Sequence, residues 1–174
     1  PQTRQLYETR NLILGTIISP DGKWTCVSLS TNEKKDKSQV LVFDNDNQRL
    51  IYRKDFANGD FVAQAFSNNP KEEYLILGIS NTNEYYRPFF INFQKKIVEE
   101  IKEKSFKGNI FVLEWFEDTN KILLGQEYQT KHQLFIYDLK SKKIKIIGPN
   151  NGSFDLFFGS TASLKNRSIL FRWQ

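Results

Sequence analysis

The sequence predicts an all-β fold built from a repeated four-stranded unit, and three observations support this prediction. Apolar segments that end in Asp or Asn recur along the chain as LVFD, FFIN and FIYD, closing at Asp44, Asn92 and Asp138. The closing residues lie at even intervals, 92 − 44 = 48 and 138 − 92 = 46 positions apart. Turn-forming residues separate the segments, as in Ser-Pro-Asp-Gly at 19–22.

Each unit contains candidate strands in the same order. The first three are apolar, and the fourth alternates apolar with basic residues after a short turn. First strands are predicted from residues 11, 60, 109 and 153, second strands from 24, 74, 121 and 168, and fourth strands from 49, 95 and 142. The units span residues 11–56, 59–104 and 108–148, with a partial unit at 152–174.

Four short strands in about 47 residues are typical of a β-propeller blade, because a sheet this small cannot bury both faces alone and stacks on its neighbours. The 174 residues are therefore predicted to form one propeller domain or part of one. Residues 4–10 offer a strand that closes a four-bladed ring. A six- to eight-bladed ring, of which this chain is a part, is favoured. An open ring exposes an apolar blade face, which predicts further blades or a partner there.

Polar residues are predicted to cap the turns. Asp21 and Gly22 complete a Ser-Pro-Asp-Gly turn, with Pro at its second position and Gly at its end. Asp44, Asn92 and Asp138 each precede a turn whose main chain their side chains are expected to cap. The stretch at 94–108 has apolar residues at helical spacing, but its position in the repeat favours a strand.

The motif SPDGKW at 19–24, together with Phe-Asp or Tyr-Asp at the ends of third strands, resembles the WD-repeat and TolB-like superfamily of propellers. The resemblance covers essentially the whole chain and implies a fold rather than an activity. The chain departs from it in lacking Trp-Asp and Gly-His dipeptides and in having Asn92 in place of Asp. A fainter similarity to the clathrin heavy-chain terminal propeller lies in residues 23–30, 40–50 and 61–66.

The composition indicates a globular chain, with 14% aromatic residues and a mean hydropathy of −0.53. The single cysteine, Cys26, cannot form an internal disulfide, which favours a reducing, cytoplasmic setting; the alternative is a secreted or periplasmic protein whose presequence was removed. No apolar run approaches the roughly 18 residues of a membrane span. The absence of Met and the start at Pro1 predict a fragment of a longer polypeptide or a processed chain.

No catalytic constellation is evident. His132 is expected in the loop before a third strand, and Cys26 is expected to be buried as a small apolar residue. One His and one Cys cannot build a zinc site. GSTAS at 159–163 lacks the second glycine of a nucleophile elbow and is placed in a turn between strands. We therefore predict no enzyme activity, no metal and no cofactor.

Two sets of residues are candidate binding sites. Tyr85, Tyr86 and Arg87 are of the types enriched in binding hot spots and precede Pro88, where the next strand is expected to begin. The alternative is that one tyrosine packs beneath the hairpin. The second set is basic and lies in a hairpin loop: Lys34, Lys35 and Lys37.

The net charge of +5 and the isoelectric point near 9.2 allow nucleic-acid binding, but solvation of loops and protection of sheet edges explain the lysines better. The predicted function is that of a non-enzymatic scaffold that binds other proteins as part of a larger chain or complex. The alternatives are the substrate-gating propeller of a hydrolase resembling the prolyl oligopeptidase family and a basic RNA-binding propeller.

Overall fold

The computed structural model describes residues 5–31, 37–57, 59–67, 75–81, 84–116, 120–147, 161–163 and 168–170, and none of these residues is helical. They form strands joined by turns. The strands are β1 (Leu12–Ile18), β2 (Trp24–Ser30), β3 (Ser38–Asp44), β4 (Arg49–Phe56), β5 (Phe61–Phe66), β6 (Leu75–Asn81), β7 (Tyr86–Asn92), β8 (Ile97–Glu100), β9 (Asn109–Trp115), β10 (Lys121–Tyr128), β11 (Lys131–Asp138), β12 (Lys143–Ile147), β13 (Thr161–Ser163) and β14 (Ser168–Leu170).

The strands form one repeated type of sheet. β1 to β4, β5 to β8 and β9 to β12 make three four-stranded antiparallel sheets, each ordered as in the chain, and β13 pairs with β14. We call these sheets blade 1, blade 2 and blade 3. The predicted all-β fold of three full four-stranded blades and a partial one is confirmed.

The helical alternative for residues 94–108 is wrong, because Ile97–Glu100 form a strand at the edge of blade 2. The fourth unit also differs from expectation. Part of GSTAS is a strand rather than a turn, since Thr161–Ser163 pair with Ser168–Leu170. A Thr-Ala-Ser segment contains no apolar alternation, so the pattern carries no strand signal there. The first strand predicted from residue 153 lies outside the described residues.

Two further predictions about strand starts are wrong. β7 begins at Tyr86, so Pro88 lies within the strand. Pro88 is tolerated there because its nitrogen lies on the side away from β6, where its carbonyl accepts a hydrogen bond from the Ile101 N–H at 2.8 Å just beyond β8. His132 is the second residue of β11 and not a loop residue. The preceding turn consists of Gln129 and Thr130, with φ of 49° and 63°, a two-residue geometry that lets both strands reach the turn.

Apolar side chains fill the spaces between neighbouring blades. Between blades 1 and 2, Phe56 stacks on Phe61 with ring centres 4.9 Å apart, and the Trp24 ring lies edge-on to Phe93 at 5.5 Å. The space between blades 2 and 3 is filled by a second cluster that includes Leu77, Ile110, Trp115 and Phe135. The first strands of the blades are innermost, because β1 contacts β5 and β5 contacts β9.

Serine hydroxyl groups supplement this packing between blades 1 and 2. The main-chain N–H of Ala63 donates to Ser28 Oγ at 3.0 Å, and that of Phe61 donates to Ser38 Oγ at 2.7 Å. Ser38 Oγ in turn donates to the Gly59 carbonyl at 3.2 Å. Both serines are buried, so they satisfy main-chain groups of β5 that the neighbouring strand does not reach.

A glycine precedes the inner strand at each described blade junction. Gly59 and Gly108 adopt φ of 88° and 55°. A Cβ at Gly59 would collide with the carbonyl oxygen of Asn81, and one at Gly108 with that of Glu127. Both the left-handed conformation and the close approach of the backbone therefore require glycine at these positions.

Candidate functional site

A cavity of about 280 Å³ lies where the inner strands end. Three pairs of residues from these strands line it, with Pro20 and Gln64 beside them: Ile17 and Ile18, Ala65 and Phe66, Glu114 and Trp115. The three pairs are equivalent in the repeat. Ile18, Phe66 and Trp115 each pair with the second residue of the next strand.

Most of the residues that line the cavity are apolar, and Gln64 and Glu114 add an amide and a carboxylate. Gln64 is exposed and lies at a β-bulge between Ala63 and Ala65, an irregularity that turns side chains out of the ladder and often occurs near binding sites. Glu114 is half-buried. Among the lining residues, Gln64 offers hydrogen-bond donors and an acceptor, and the Glu114 carboxylate offers a negative charge.

The Tyr85 corner, defined as Tyr85, Tyr86 and Arg87, lies at the opposite end of the blades, where β6 ends and β7 begins. The Tyr85 side chain is 37% exposed. The guanidinium of Arg87 lies 5.3 Å from the centre of its ring, within the range of a cation–π contact. Tyr85 therefore presents an aromatic surface to solvent.

The other two residues of the corner belong to the junction between blades 2 and 3. The Tyr86 ring lies 5.9 Å from Phe111 of β9, and its main-chain N–H donates to Asn109 Oδ1 at 3.1 Å. Arg87 Nη1 donates to the Tyr86 carbonyl at 2.9 Å and also to the carbonyl of Gly108. These contacts fix the backbone on which Tyr85 is carried.

The residues predicted to cap turns all contact the turns in question. Asp21 Oδ1 accepts hydrogen bonds from Ser19 Oγ at 2.7 Å and from the Lys23 N–H at 3.2 Å. Gly22 adopts φ of 73°. Its carbonyl accepts a hydrogen bond from Asn45 Nδ2 at 2.6 Å. The first turn of blade 1 is thus tied to the turn between β3 and β4.

The caps that end the third strands are equivalent in the three blades. Asp44 Oδ1 accepts from the Asp46 and Asn47 N–H groups at 3.1 Å, and Asn47 Nδ2 donates to Asp44 Oδ2 at 2.8 Å. These hydrogen bonds hold the pKa of Asp44 below its usual range, and the bond from the Asn47 side chain has the largest effect. In the same way, Asn92 Oδ1 accepts a hydrogen bond from the Lys95 N–H at 2.9 Å, and Asp138 Oδ1 accepts one from the Ser141 N–H at 2.8 Å.

Each of these caps is followed four positions later by a residue in the left-handed region. The residues are Gln48, Lys96 and Lys142, with φ of 52°, 59° and 54°. Because side chains with a Cβ rarely adopt this conformation, the shared geometry shows that the capped turn imposes it. Asp44, Asn92 and Asp138 are placed to stabilise the turns.

Of the predicted basic set, Lys34 and Lys35 lie outside the described residues. Lys37 is exposed and forms a short parallel bridge with Gly59 at the junction of blades 1 and 2. A different lysine connects blades 3 and 2, since Lys142 Nζ lies 3.3 Å from Glu99 Oε1. That ion pair is solvent-exposed and adds little to stability.

Cys26 and His132 do not form a catalytic pair. Cys26 is buried between blades 1 and 2, and burial raises the pKa of its thiol far above the usual value. His132 lies on β11 of blade 3. The described residues contain no group of three or more His, Cys, Asp or Glu side chains placed to bind a metal ion. Within the described ranges, nothing helical reaches the length and apolarity that a membrane-spanning helix requires.

Several solved structures share this fold. TolB from Acinetobacter baumannii matches 95% of the chain with a TM-score of 0.62 at 14% identity. A putative dipeptidyl aminopeptidase IV from Bacteroides ovatus matches 95% with a TM-score of 0.67 at 11% identity. A puromycin-hydrolyzing peptidase from Mycobacterium tuberculosis matches 87% with a TM-score of 0.58 at 11% identity.

These likenesses are evidence of a propeller-type fold alone. The chain spans 39% of the TolB chain, 26% of the Bacteroides chain and 24% of the mycobacterial chain. No protein-family model matches the sequence, and no curated protein matches it. The part of the predicted resemblance that concerns TolB-like propellers is therefore supported at the level of fold.

Several residues that join the blades were not predicted from the sequence. Ser28 and Ser38 look like ordinary polar strand residues, and their inter-blade hydrogen bonds leave no trace in a strand pattern. The junction glycines do carry a signal. Gly59-Asp60-Phe61 and Gly108-Asn109-Ile110 share a Gly, polar, apolar order just before an inner strand.

Proposed function

We propose that this chain is a protein-binding part of a β-propeller, and that it acts without enzyme activity within a larger chain or complex. The supporting observation is the construction of the Tyr85 corner. An exposed aromatic ring stacks on Arg87, while Tyr86 and Arg87 are held by contacts to blade 3. A ring held in place before binding loses little conformational entropy when a partner covers it.

The residue types support recognition of a protein rather than a small molecule. Tyr and Arg are enriched in the hot spots of protein interfaces, where a few residues supply most of the binding energy. Tyr85 lies on an outer rim and not within the cavity between the inner strands, so it is accessible to a broad surface. The partners we propose are other proteins, in a reducing intracellular compartment.

The experiment is a quantitative affinity purification of the full-length parent protein from its native source, with wild type and Tyr85→Ser compared by mass spectrometry. The proposal expects a defined set of proteins with wild type and a reduced yield of that set with Tyr85→Ser. Ile146→Ser is the control, because Ile146 is also an exposed apolar residue but lies on β12. An unchanged protein set with Tyr85→Ser would contradict the proposal.

A second candidate is the propeller portion of a hydrolase, where the propeller gates access to a catalytic domain. Two of the structurally similar proteins are peptidases, which favours this reading. It predicts a Gly-x-Ser-x-Gly elbow elsewhere in the parent polypeptide, and labelling of the full-length protein by a serine-reactive fluorophosphonate. Absence of labelling would remove this candidate.

The more detailed resemblances to WD repeats and to the clathrin propeller stay predictions, as do the blade boundaries and the single-domain organisation. RNA binding through Lys34, Lys35 and Lys37 also stays a prediction. It would require affinity that falls steeply with salt and is lost when all three lysines are replaced by alanine.

A further inference from the structure

Blade 1 has a face turned away from blade 2, and part of this face is apolar and exposed. Ile13 is 55% exposed and Ile18 is 62% exposed, although both lie on the inner strand β1. Leu12 is 53% exposed as well, but it pairs with Ser30 and so lies on the opposite face of β1. A cluster of large apolar side chains on the surface marks an interaction site more often than isolated ones do.

The repeat identifies residues of blades 2 and 3 that occupy the same positions. Equivalent positions are those that pair with the same residue of the second strand of each blade. The sixth residue of that strand pairs with Ile13, Phe61 or Ile110, and its second residue pairs with Ile18, Phe66 or Trp115. In blades 2 and 3 these residues are no more than 3% exposed. The same positions are therefore open in blade 1 and closed in its neighbours.

In both closed cases the covering element is the preceding blade. Phe61 stacks on Phe56 of blade 1, and Phe66 belongs to a cluster that includes Trp24 of blade 1. Ile110 and Trp115 likewise belong to a cluster that includes Leu77 of blade 2. By analogy with blades 2 and 3, the surface that fits these positions in blade 1 is the face of a four-stranded sheet.

The outer half of the same face of blade 1 is already covered. Leu6 packs against a buried cluster that includes Phe43, and the Tyr7 ring lies 5.4 Å from the Phe43 ring. A similar contact occurs at the next junction, where Tyr52 of the outer strand β4, which precedes β5 in the chain, packs against Phe93 of blade 2. Residues 5–10 do not form the strand expected there, but Leu6 and Tyr7 cover the outer half of the face, and the inner half remains open.

A second copy of the chain is a poor candidate for the missing cover. It would have to offer an open forward face, and the forward face of blade 3 carries Leu123 and Leu134. Both are 2% exposed and so already covered. Leu123 and Leu134 of a second copy are therefore not open to receive these residues. A contact between blade 1 of one copy and blade 1 of another is distinguished by the cross-linking test below.

We propose that Ile13 and Ile18 receive the inner strands of another blade of the same polypeptide, beside residues 5–10, which cover the outer part of the same face. The proposal concerns a different surface from the Tyr85 corner and does not depend on the proposed function. The occupant is apolar on the contacting face, because it replaces the side chains that Phe56 and Trp24 supply at the next junction.

The first test measures how fast a cysteine at this surface reacts with a maleimide in the full-length parent protein. Ile18→Cys is compared with Ile146→Cys, since Ile146 is 53% exposed and lies on the outer strand of blade 3. The native Cys26 is buried in the folded protein, and its reaction in urea is subtracted by measuring the unsubstituted protein in parallel. We expect Ile18→Cys to react at least about tenfold more slowly than Ile146→Cys, with equal rates in urea. Equal rates in the folded protein would overturn the proposal.

The second test identifies the covering element by placing a photoreactive benzoylphenylalanine at position 18 of the full-length protein. The proposal expects a cross-link within one polypeptide, to a peptide with alternating apolar residues. A cross-link between two copies, to a different protein, or to no peptide at all would overturn it. If either variant at position 18 fails to fold, as judged by circular dichroism, the same two tests are made at Ile13, which lies on the same face.

Discussion

Ser38 provides a sensitive test of how the blades are joined. Its Oγ accepts a hydrogen bond from the Phe61 N–H at 2.7 Å and donates one to the Gly59 carbonyl at 3.2 Å, in a site where Ser38 is 1% exposed. In Ser38→Ala the Phe61 N–H loses this acceptor inside a buried interface. Leaving a buried donor without a partner costs about 1–3 kcal/mol, so we expect the free energy of unfolding to fall by about 2 kcal/mol.

The assay is urea unfolding followed by tryptophan fluorescence, because Trp24 and Trp115 are both buried in the clusters between blades. With a slope of about 2 kcal/mol per molar urea, the midpoint should move down by about 1 M while the slope stays unchanged. Ser105→Ala is the control, since Ser105 lies in an exposed turn, and it should stay within about 0.5 kcal/mol of wild type. Equal midpoints for the two variants would refute the reasoning.

Three further predictions concern the turns and the buried thiol. In the folded chain the pKa of Asp44 lies below its ordinary value of 3.8, so the ionised Asp44 stabilises the fold above pH 3.8, and this contribution is lost as the pH falls through the folded pKa. Between pH 7 and pH 3, Asp44→Asn should therefore lose less stability than wild type, and an equal loss would contradict this. Gln48 has φ of 52°, so Gln48→Gly should raise stability by up to about 1 kcal/mol, and a lower melting temperature would show that the side chain contributes otherwise. Cys26 is fully buried with a raised pKa, so its reaction with a disulfide reagent should follow the urea unfolding curve, and rapid reaction of the folded protein would count against this packing.

The strand order could be predicted because each blade repeats the same chemical pattern. The Asp or Asn at the end of each third strand marks the repeat, and its capping of the following turn is a local interaction between residues two or three positions apart. Local interactions of this kind depend on neighbouring residues and so are visible in sequence. The inner strands could be placed by the same spacing, since each precedes a second apolar segment.

Contacts between blades could not be predicted in this way. Ser38 and Phe61 are 23 positions apart, and nothing in either strand indicates that a hydroxyl of one will accept a hydrogen bond from the main chain of the other. The contacts of the Tyr85 corner could not be predicted for the same reason. Tyr86 and Arg87 form hydrogen bonds with Asn109 and Gly108, which lie more than 20 positions further along the chain. The residue types predicted a binding loop but not which of the three side chains faces solvent.

The errors in strand starts have a common cause. Turn type decides where a strand begins, and turn type depends on backbone dihedral angles that residue composition specifies weakly. Gln129 and Thr130 are not typical of a turn with two positive φ values, yet they form one and so bring His132 into β11. Pro88 suggested a strand start, but a proline can lie within a strand when its nitrogen faces a side where no ladder hydrogen bond is required.

The central claim is that this propeller binds another protein through the Tyr85 corner. The most direct measurement is the dissociation constant of the principal protein recovered with the parent, determined by calorimetry for wild type, Tyr85→Ser and Ile146→Ser. The account predicts at least about tenfold weaker binding for Tyr85→Ser, with Ile146→Ser equal to wild type and all three proteins unfolding at the same urea concentration. Equal dissociation constants for wild type and Tyr85→Ser would contradict the claim.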